Sequence, residues 1–321
     1  MEEVFFLKEF KSLTDQLNLL KDRGLKIGDE EKAELYLLTN NYYNIINGYG
    51  KFFCSEKNKY DDDATFEKIA QLYFFDKEIK QILFSSILDV EKHLKSSIAH
   101  RFAERFQNQT YAYLNTNNYS SDKILEISYI VSKFSKIINT NKKFKNNSIN
   151  HYVNNYSDVP IWVIIDYIEF GDLLTFIKNL DKSLQNDVAI DLVSFVLDNL
   201  KITQQFTPET MLGLLNNIRE TRNVCAHNNR LIGFECRASS TYYSDLHSLF
   251  NITPDDSRKN VFTTFISLQC FLSNSEYAKL HNSIRKRVNQ LKNKVGQDKV
   301  NEILEQLGFP INWNDQPKLR Q

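Results

Sequence analysis

Along most of this chain apolar residues recur at spacings of three and four, the period that lines one face of an α-helix. Phe10, Leu13, Leu17 and Leu20 trace the first such face and predict a helix over residues 9–23, which Gly24 ends. Asp29 is placed to cap a second helix from Glu30 to Thr39, with Ala33, Tyr36 and Leu37 inward. Gly48 and Gly50 then allow a sharp turn. The longest periodic segment runs from Phe66 to about Phe106, where Ile69, Leu72, Ile79, Leu83, Ile87, Val90, Leu94, Ile98 and Phe102 fit one long helix or two. Residues 107–160 are rich in Asn, Ser and Lys and read as a polar insertion with one helical patch, Ile124 to Ile138. Pro160 suits the first turn of an apolar helix through Ile161-Trp162-Val163-Ile164-Ile165, a segment assigned to packing. Asp187 to Leu197 is amphipathic. Thr207, Pro208 and Glu209 are an N-cap, an N1 proline and a first-turn acid, and they open a helix expected to reach Leu231. Thr253-Pro254-Asp255-Asp256 reads as another helix start, followed by an apolar stretch from Val261 to Phe271 and a basic amphipathic helix from Glu276 to Val295.

Composition agrees with an all-α fold. Only nine glycines and five prolines occur in 321 residues, too few for the many tight turns of a β-sandwich or barrel. The formal net charge is zero, so any contact with nucleic acid must be a local patch and not a global field. The cysteines at 54, 225, 236 and 270 form no C-x-x-C pair, which supports neither a zinc site nor a disulfide framework. Asp61-Asp62-Asp63 reads as a solvated cap, not a metal site. No basic region followed by an apolar run opens the chain, and no apolar stretch reaches the ~20 residues of a membrane span. The expectation is a cytoplasmic protein with no membrane partner and no cofactor.

Candidate chemistry concentrates between Asn216 and Leu231. Of eleven arginines, four (Arg219, Arg222, Arg230, Arg237) fall within nineteen positions, with His227 among them. Arginine offers a planar donor fork matched to phosphate or carboxylate. On a helix Arg219 and Arg222 share a face. Arg222 and His227 are about 140° apart, whereas Asn223 and His227 share a stripe, so the amide is placed to fix the imidazole tautomer. A second set lies at Glu91, Lys95 and His100. The Glu91–Lys95 spacing fits an ordinary i,i+4 ion pair, and it also fits a carboxylate that orients the arginine cluster across the bundle. Lys95 and His100 fit either a polar helix face or a helper that meets substrate phosphate. The run Lys142-Lys143-Phe144-Lys145 likewise fits either a phosphate contact or a solvated surface.

The block Arg222-Asn223-Val224-Cys225-Ala226-His227-Asn228-Asn229-Arg230-Leu231 resembles the R-x4-6-H motif of HEPN ribonucleases, in the R-N-x-x-A-H-x-x-R-L form of bacterial abortive infection proteins of the AbiD/AbiF type. Flanking segments are similar to the same family: Leu20 to Tyr43, Phe74 to Ile79, Ile87 to His100, Pro160-x-Trp162 through Phe170-Gly171, and Gly308-Phe309-Pro310-x-x-Trp313. In relatives the Lys95 position looks to be arginine, giving a second R-x4-H; lysine here lacks the bidentate fork. The resemblance implies a HEPN-type helical bundle. An N-terminal helical extension (1–62) would precede a HEPN-like core (63–250) with the polar insertion at about 107–158, and a C-terminal helical segment (251–321) would follow. It also implies phage defence, a homodimer in which two Arg222/His227 sets meet, and RNA as substrate, with a structured non-coding RNA as a further partner.

The chemistry expected of such a site needs no metal. The RNA 2′-OH attacks the adjacent phosphate, His227 moves the proton, Asn223 orients it, and Arg222 stabilises charge on phosphorus. Arg219, Arg230, Lys95 and His100 would bind phosphate, with Glu91 in support. DNA lacks the 2′-OH and is not expected as a substrate. The alternative is a non-catalytic RNA-binding or antitoxin-like module using the same arginines.

Overall fold

The structure, a computed structural model, describes residues 9–120 and 122–320. Among these residues are thirteen α-helices and no β-sheet; the only strand-like pairings are isolated bridges. The fold is an all-α bundle. The helices are α1 Leu13–Asp22, α2 Glu30–Asn40, α3 Phe66–Arg105, α4 Ile124–Asn141, α5 Ser148–Asn155, α6 Ile161–Ile164, α7 Phe170–Asn179, α8 Lys182–Asn199, α9 Pro208–Ala226, α10 Ser244–His247, α11 Val261–Ser267, α12 Asn274–Val295 and α13 Gln297–Gln306.

The chain divides into two compact units. The first comprises residues 1–80, 283–306 and 310–316, and the second residues 81–282, 307–309 and 317–321. In the first unit Leu17, Leu20, Leu37, Ile69 and Leu72 are buried, as are Val300, Ile303 and Leu304 of α13. A buried ion pair joins Lys80 to Asp76 at 3.0 Å, and the Tyr49 hydroxyl donates to the same carboxylate at 2.8 Å. The second unit is centred on α9, which packs against α7, α8 and α11. Met211, Leu214, Leu215 and Ile218 form its fully buried face, at the three-and-four spacing read in the sequence. Fully burying each such side chain contributes roughly 1.5–3 kcal/mol.

Several boundaries differ from expectation, each for a local reason. The first helix starts at Leu13 because Ser12 and Asp15 form a reciprocal capping box, which leaves Phe10 outside and exposed. The Phe66 segment is one uninterrupted helix of 40 residues. The apolar run after Pro160 is a single turn of α-helix followed by a 3-10 turn, and the chain restarts as a helix at Phe170. Thr253–Asp256 forms a turn: the Asp256 carboxylate accepts from the Thr253 N–H and hydroxyl, both at 2.7 Å. The following helix opens instead at Asn260, whose side chain accepts from Thr263 N–H.

Candidate functional site

Helix α9 carries the arginine–histidine stretch, and its own sequence fixes where that stretch sits. The Thr207 hydroxyl accepts from Thr210 N–H, and Pro208 occupies the first turn. Two polar residues on the buried side are satisfied internally. Asn217 donates to the carbonyls of Ala238 (3.2 Å) and Arg258 (2.9 Å), and Thr221 donates to Thr264 Oγ1 at 3.2 Å. These bonds hold the returning chain along one side of α9. Glu220 joins in by accepting from Arg237 N–H at 2.9 Å. The opposite side of the helix is left to Arg219, Arg222 and Asn223.

The helix ends earlier than its apolar pattern suggests. His227 is the C-cap, Asn228 takes a left-handed backbone (φ 53°), and the N–H groups of Asn228 and Asn229 return to the carbonyls of Cys225 and Val224. This is a Schellman turn with asparagine in the place glycine usually holds. Arg230 therefore lies in the loop, exposed, while the neighbouring Leu231 is fully buried and anchors that loop.

Arg222 extends over the ring of Phe84 in α3, its guanidinium carbon 5.5 Å from the centroid, and its Nη1 reaches Asn223 Oδ1 at 3.5 Å. The aliphatic part of Arg219 lies beside the start of α7, where a Cβ on Gly171 would sit 3.7 Å from its Cδ. The Nε atoms of both arginines are buried and, among the described residues, have no hydrogen-bond partner. No carboxylate among the described residues pairs with either guanidinium. By contrast Arg101, Arg105 and Arg287 each meet one, Asp191 at 2.5 Å, Asp181 at 3.2 Å and Glu78 at 3.0 Å. Two guanidinium groups three residues apart on one helix, with no counter-charge among the described residues, favour an anion.

His227 is exposed, and its ring has no hydrogen-bond partner among the described residues. Its link to Asn223 runs through the backbone, His227 N–H to the Asn223 carbonyl at 3.0 Å, not through the side-chain amide. Other histidines are engaged in packing. His93 bonds the Phe271 carbonyl at 2.9 Å and stacks on Phe195, and His247 is wholly buried. The cysteines are free thiols, and burial pushes Cys236 up to about 11, where it stays protonated. Among the described residues no group of three or more His, Cys, Asp or Glu is placed to hold a metal ion.

The second set lies farther along α3. Glu91 Oε1 pairs with Lys95 Nζ at 2.8 Å, the i,i+4 arrangement, while its Oε2 is buried with no hydrogen-bond partner among the described residues. Lys95 also donates to the Asp166 carbonyl at 3.3 Å. His100 is exposed and lines the same groove as Lys95. Among the described residues no hydrogen bond or ion pair joins Arg222, Asn223 or His227 to Glu91, Lys95 or His100. Phe144 of the basic run is exposed in the turn between α4 and α5.

A family model described as Abi-like protein matches residues 35–233, well over half of the chain. The chain belongs to the Abi-like protein family. No curated protein and no solved structure matches it significantly. Membership in the Abi-like family supports a role in abortive infection, the defence by which an infected bacterium limits phage. The matched span starts within α2 and closes just beyond Leu231, so both side-chain sets lie inside it and the basic helix α12 lies outside. No helix among the described residues is long and apolar enough to cross a membrane.

One feature of this Abi-like chain escaped the sequence reading. Trp162, assigned to packing, is 57% exposed. Ile161, Ile164 and Ile165 fill the buried arc of the short α6 turn, which leaves Trp162 and Asp166, four apart, on the outer side. That i,i+3,i+4 arrangement of isoleucines was the available signal.

Proposed function

We propose that this Abi-like protein is a HEPN-type endoribonuclease that acts in abortive infection by cutting RNA. The observation that carries the reading is the pair of half-buried guanidinium groups, Arg219 and Arg222, which among the described residues meet no carboxylate and are followed at the end of α9 by the exposed imidazole of His227. A phosphodiester supplies the missing counter-charge. As the substrate 2′-OH attacks, negative charge grows on the non-bridging phosphate oxygens, and a fixed guanidinium stabilises that charge more than it stabilises the ground state. His227, an imidazole in water, moves the proton from the 2′-OH or to the leaving 5′-oxygen. Asn223 gives its carbonyl oxygen to Arg222 and keeps its amide N–H groups for substrate or for the imidazole. The products are a 2′,3′-cyclic phosphate and a 5′-OH, and DNA resists. A second copy of the chain, bringing its own Arg222 and His227, completes the cleft and orients an imidazole whose ring has no hydrogen-bond partner among the described residues.

The test is cleavage of labelled RNA with EDTA present, with end-group analysis of the products. Wild-type protein is expected to cut, and Arg222→Ala and His227→Ala are expected not to. Cleavage by both variants at the wild-type rate removes the assignment. The second reading, an RNA-binding module without catalysis, draws on the unpartnered imidazole of His227. It gives salt-sensitive binding that Arg222→Ala weakens and His227→Ala does not, with no product.

A further inference from the structure

Trp162 stands at the junction of two hollows in the second unit. One is a groove of about 740 Å3 lined by Lys92, Lys95, His100, Gln107 and Asp166 together with the indole. The other, about 220 Å3, shares Trp162 and Gln107 and is walled by Phe102, Phe106 and Tyr113. The indole is exposed over 57% of its surface, open to a stacking partner. Here it is flanked on one side by a groove of mixed charge, in which Lys92, Lys95 and His100 lie alongside Asp166 and Glu104, the latter paired with Arg101, and on the other by apolar rings. The Lys95 ammonium is positioned for an incoming anion. It has three N–H donors, and Glu91 Oε1 (2.8 Å) and the Asp166 carbonyl (3.3 Å) fix its direction with two of them, leaving one for a ligand.

We infer that this groove is the seat of one unpaired nucleotide of the RNA strand, with its base stacked on Trp162 and its phosphate met by Lys95, Lys92 and His100. The inference rests on RNA being the ligand of the arginine site. Stacking suits the indole because every base has a π-face, and it demands a single strand because bases in a duplex are already stacked. Gln107 and Asp166 line the same groove and can offer an amide and a carboxylate to a base edge. Trp162 is a specificity-determining residue and takes no part in bond breaking.

Only two tryptophans occur in the chain, and the other, Trp313, is 2% exposed. With excitation selective for tryptophan, a change in emission on adding ligand therefore reports mainly on Trp162, over a background from buried Trp313. The full-length protein is titrated with a 2′-O-methyl single-stranded oligonucleotide, which cannot be cut by 2′-OH attack, and with the same strand in a blunt duplex. The single strand is expected to quench a large part of the emission and the duplex to leave it unchanged. Trp162→Ala is expected to weaken single-strand binding on the order of 10-fold, and Trp162→Tyr to restore most of it. Oligo-uridine is expected to bind more weakly than oligo-adenosine in the wild type, because uracil stacks less well on the indole, and the difference is expected to shrink in Trp162→Ala. Equal quenching by duplex, no quenching by either, or unchanged affinity of Trp162→Ala overturns the inference. The uncleavable probe separates it from the ribonuclease reading. Quenching without cleavage of ordinary RNA removes the enzyme and keeps the seat. Cleavage that depends on Arg222 and His227 but is indifferent to Trp162 removes the seat alone.

Discussion

The guanidinium of Arg222 is carried by an aromatic ring, that of Phe84 at 5.5 Å, and not by a carboxylate. A ring orients the cation without neutralising it, so its charge stays available to a phosphate. Replacing Phe84 by Leu is expected to lower single-turnover RNA cleavage by roughly 3- to 30-fold, the range of a ~0.5–2 kcal/mol cation–π contact, and Phe84→Tyr to recover it. Arg222→Lys is expected to lose at least ~100-fold despite keeping the charge, because the bidentate fork is gone. Melting curves of all three variants near wild type would show that the effect is on the site.

The left-handed backbone of Asn228 closes α9 directly after His227. Asn228→Gly fits that conformation and is expected to leave stability and cleavage within about 2-fold of wild type. Asn228→Val places a β-branched residue there, at a cost of about 1–2 kcal/mol, and is expected to reduce cleavage as the imidazole moves. Urea unfolding alongside cleavage rates checks both. A fall in stability with undiminished cleavage would separate the turn from the chemistry.

His247 is buried, and burial, with the positive charge of Arg258 adding to it, pushes the imidazole down to about 4 despite the opposing effect of the Tyr243 carbonyl, which can accept a hydrogen bond from the ring. The unfolded chain binds this proton near pH 6.5 and the folded chain only near pH 4, so the unfolded state holds more protons between those values. Stability contributed by neutral His247 is complete above about pH 6.5 and falls as the pH drops to 4, by something on the order of 3 kcal/mol. His247→Asn, which keeps an acceptor for Tyr243 N–H, is expected to flatten the dependence of the urea midpoint on pH across that window.

Gly213 faces Thr241, whose hydroxyl would lie 1.9 Å from a Cβ added to the glycine. Gly213→Ala gains helix propensity but must displace the returning chain, and a net loss of about 1–3 kcal/mol is expected. Thr241→Gly removes the clashing side chain, so the double variant is expected to be more stable than the sum of the two single changes. A thermal double-mutant cycle reads that coupling directly.

What the sequence revealed depended on whether neighbours or distant residues decide a feature. The buried stripe of α9 was readable because Met211, Leu214, Leu215 and Ile218 repeat with the helical period. Its end was not, because Asn228 and not glycine carries the left-handed turn, and the buried Leu231 prolongs the apolar impression. Thr207-Pro208-Glu209 and Thr253-Pro254-Asp255 look alike as helix starts. Only the first is followed by apolar positions at helical spacing; after the second, Asp256-Ser257-Arg258-Lys259 offers none, and the turn closes on itself. The Arg222–His227 spacing was visible locally, whereas the Phe84 ring beneath Arg222 and the groove beside Trp162 come from segments far apart in the chain.

Helix α3 runs unbroken past both places. From Phe84, under Arg222, to Lys95 and His100 in the groove is eleven and sixteen residues, or about 16 and 24 Å along a rigid axis. A strand with one base seated on Trp162 and one phosphate at Arg222 spans a length that the helix sets and thermal motion barely alters. Cut sites would then fall a constant number of nucleotides from the recognised base, and α3 would serve as the measuring rod that sets the register.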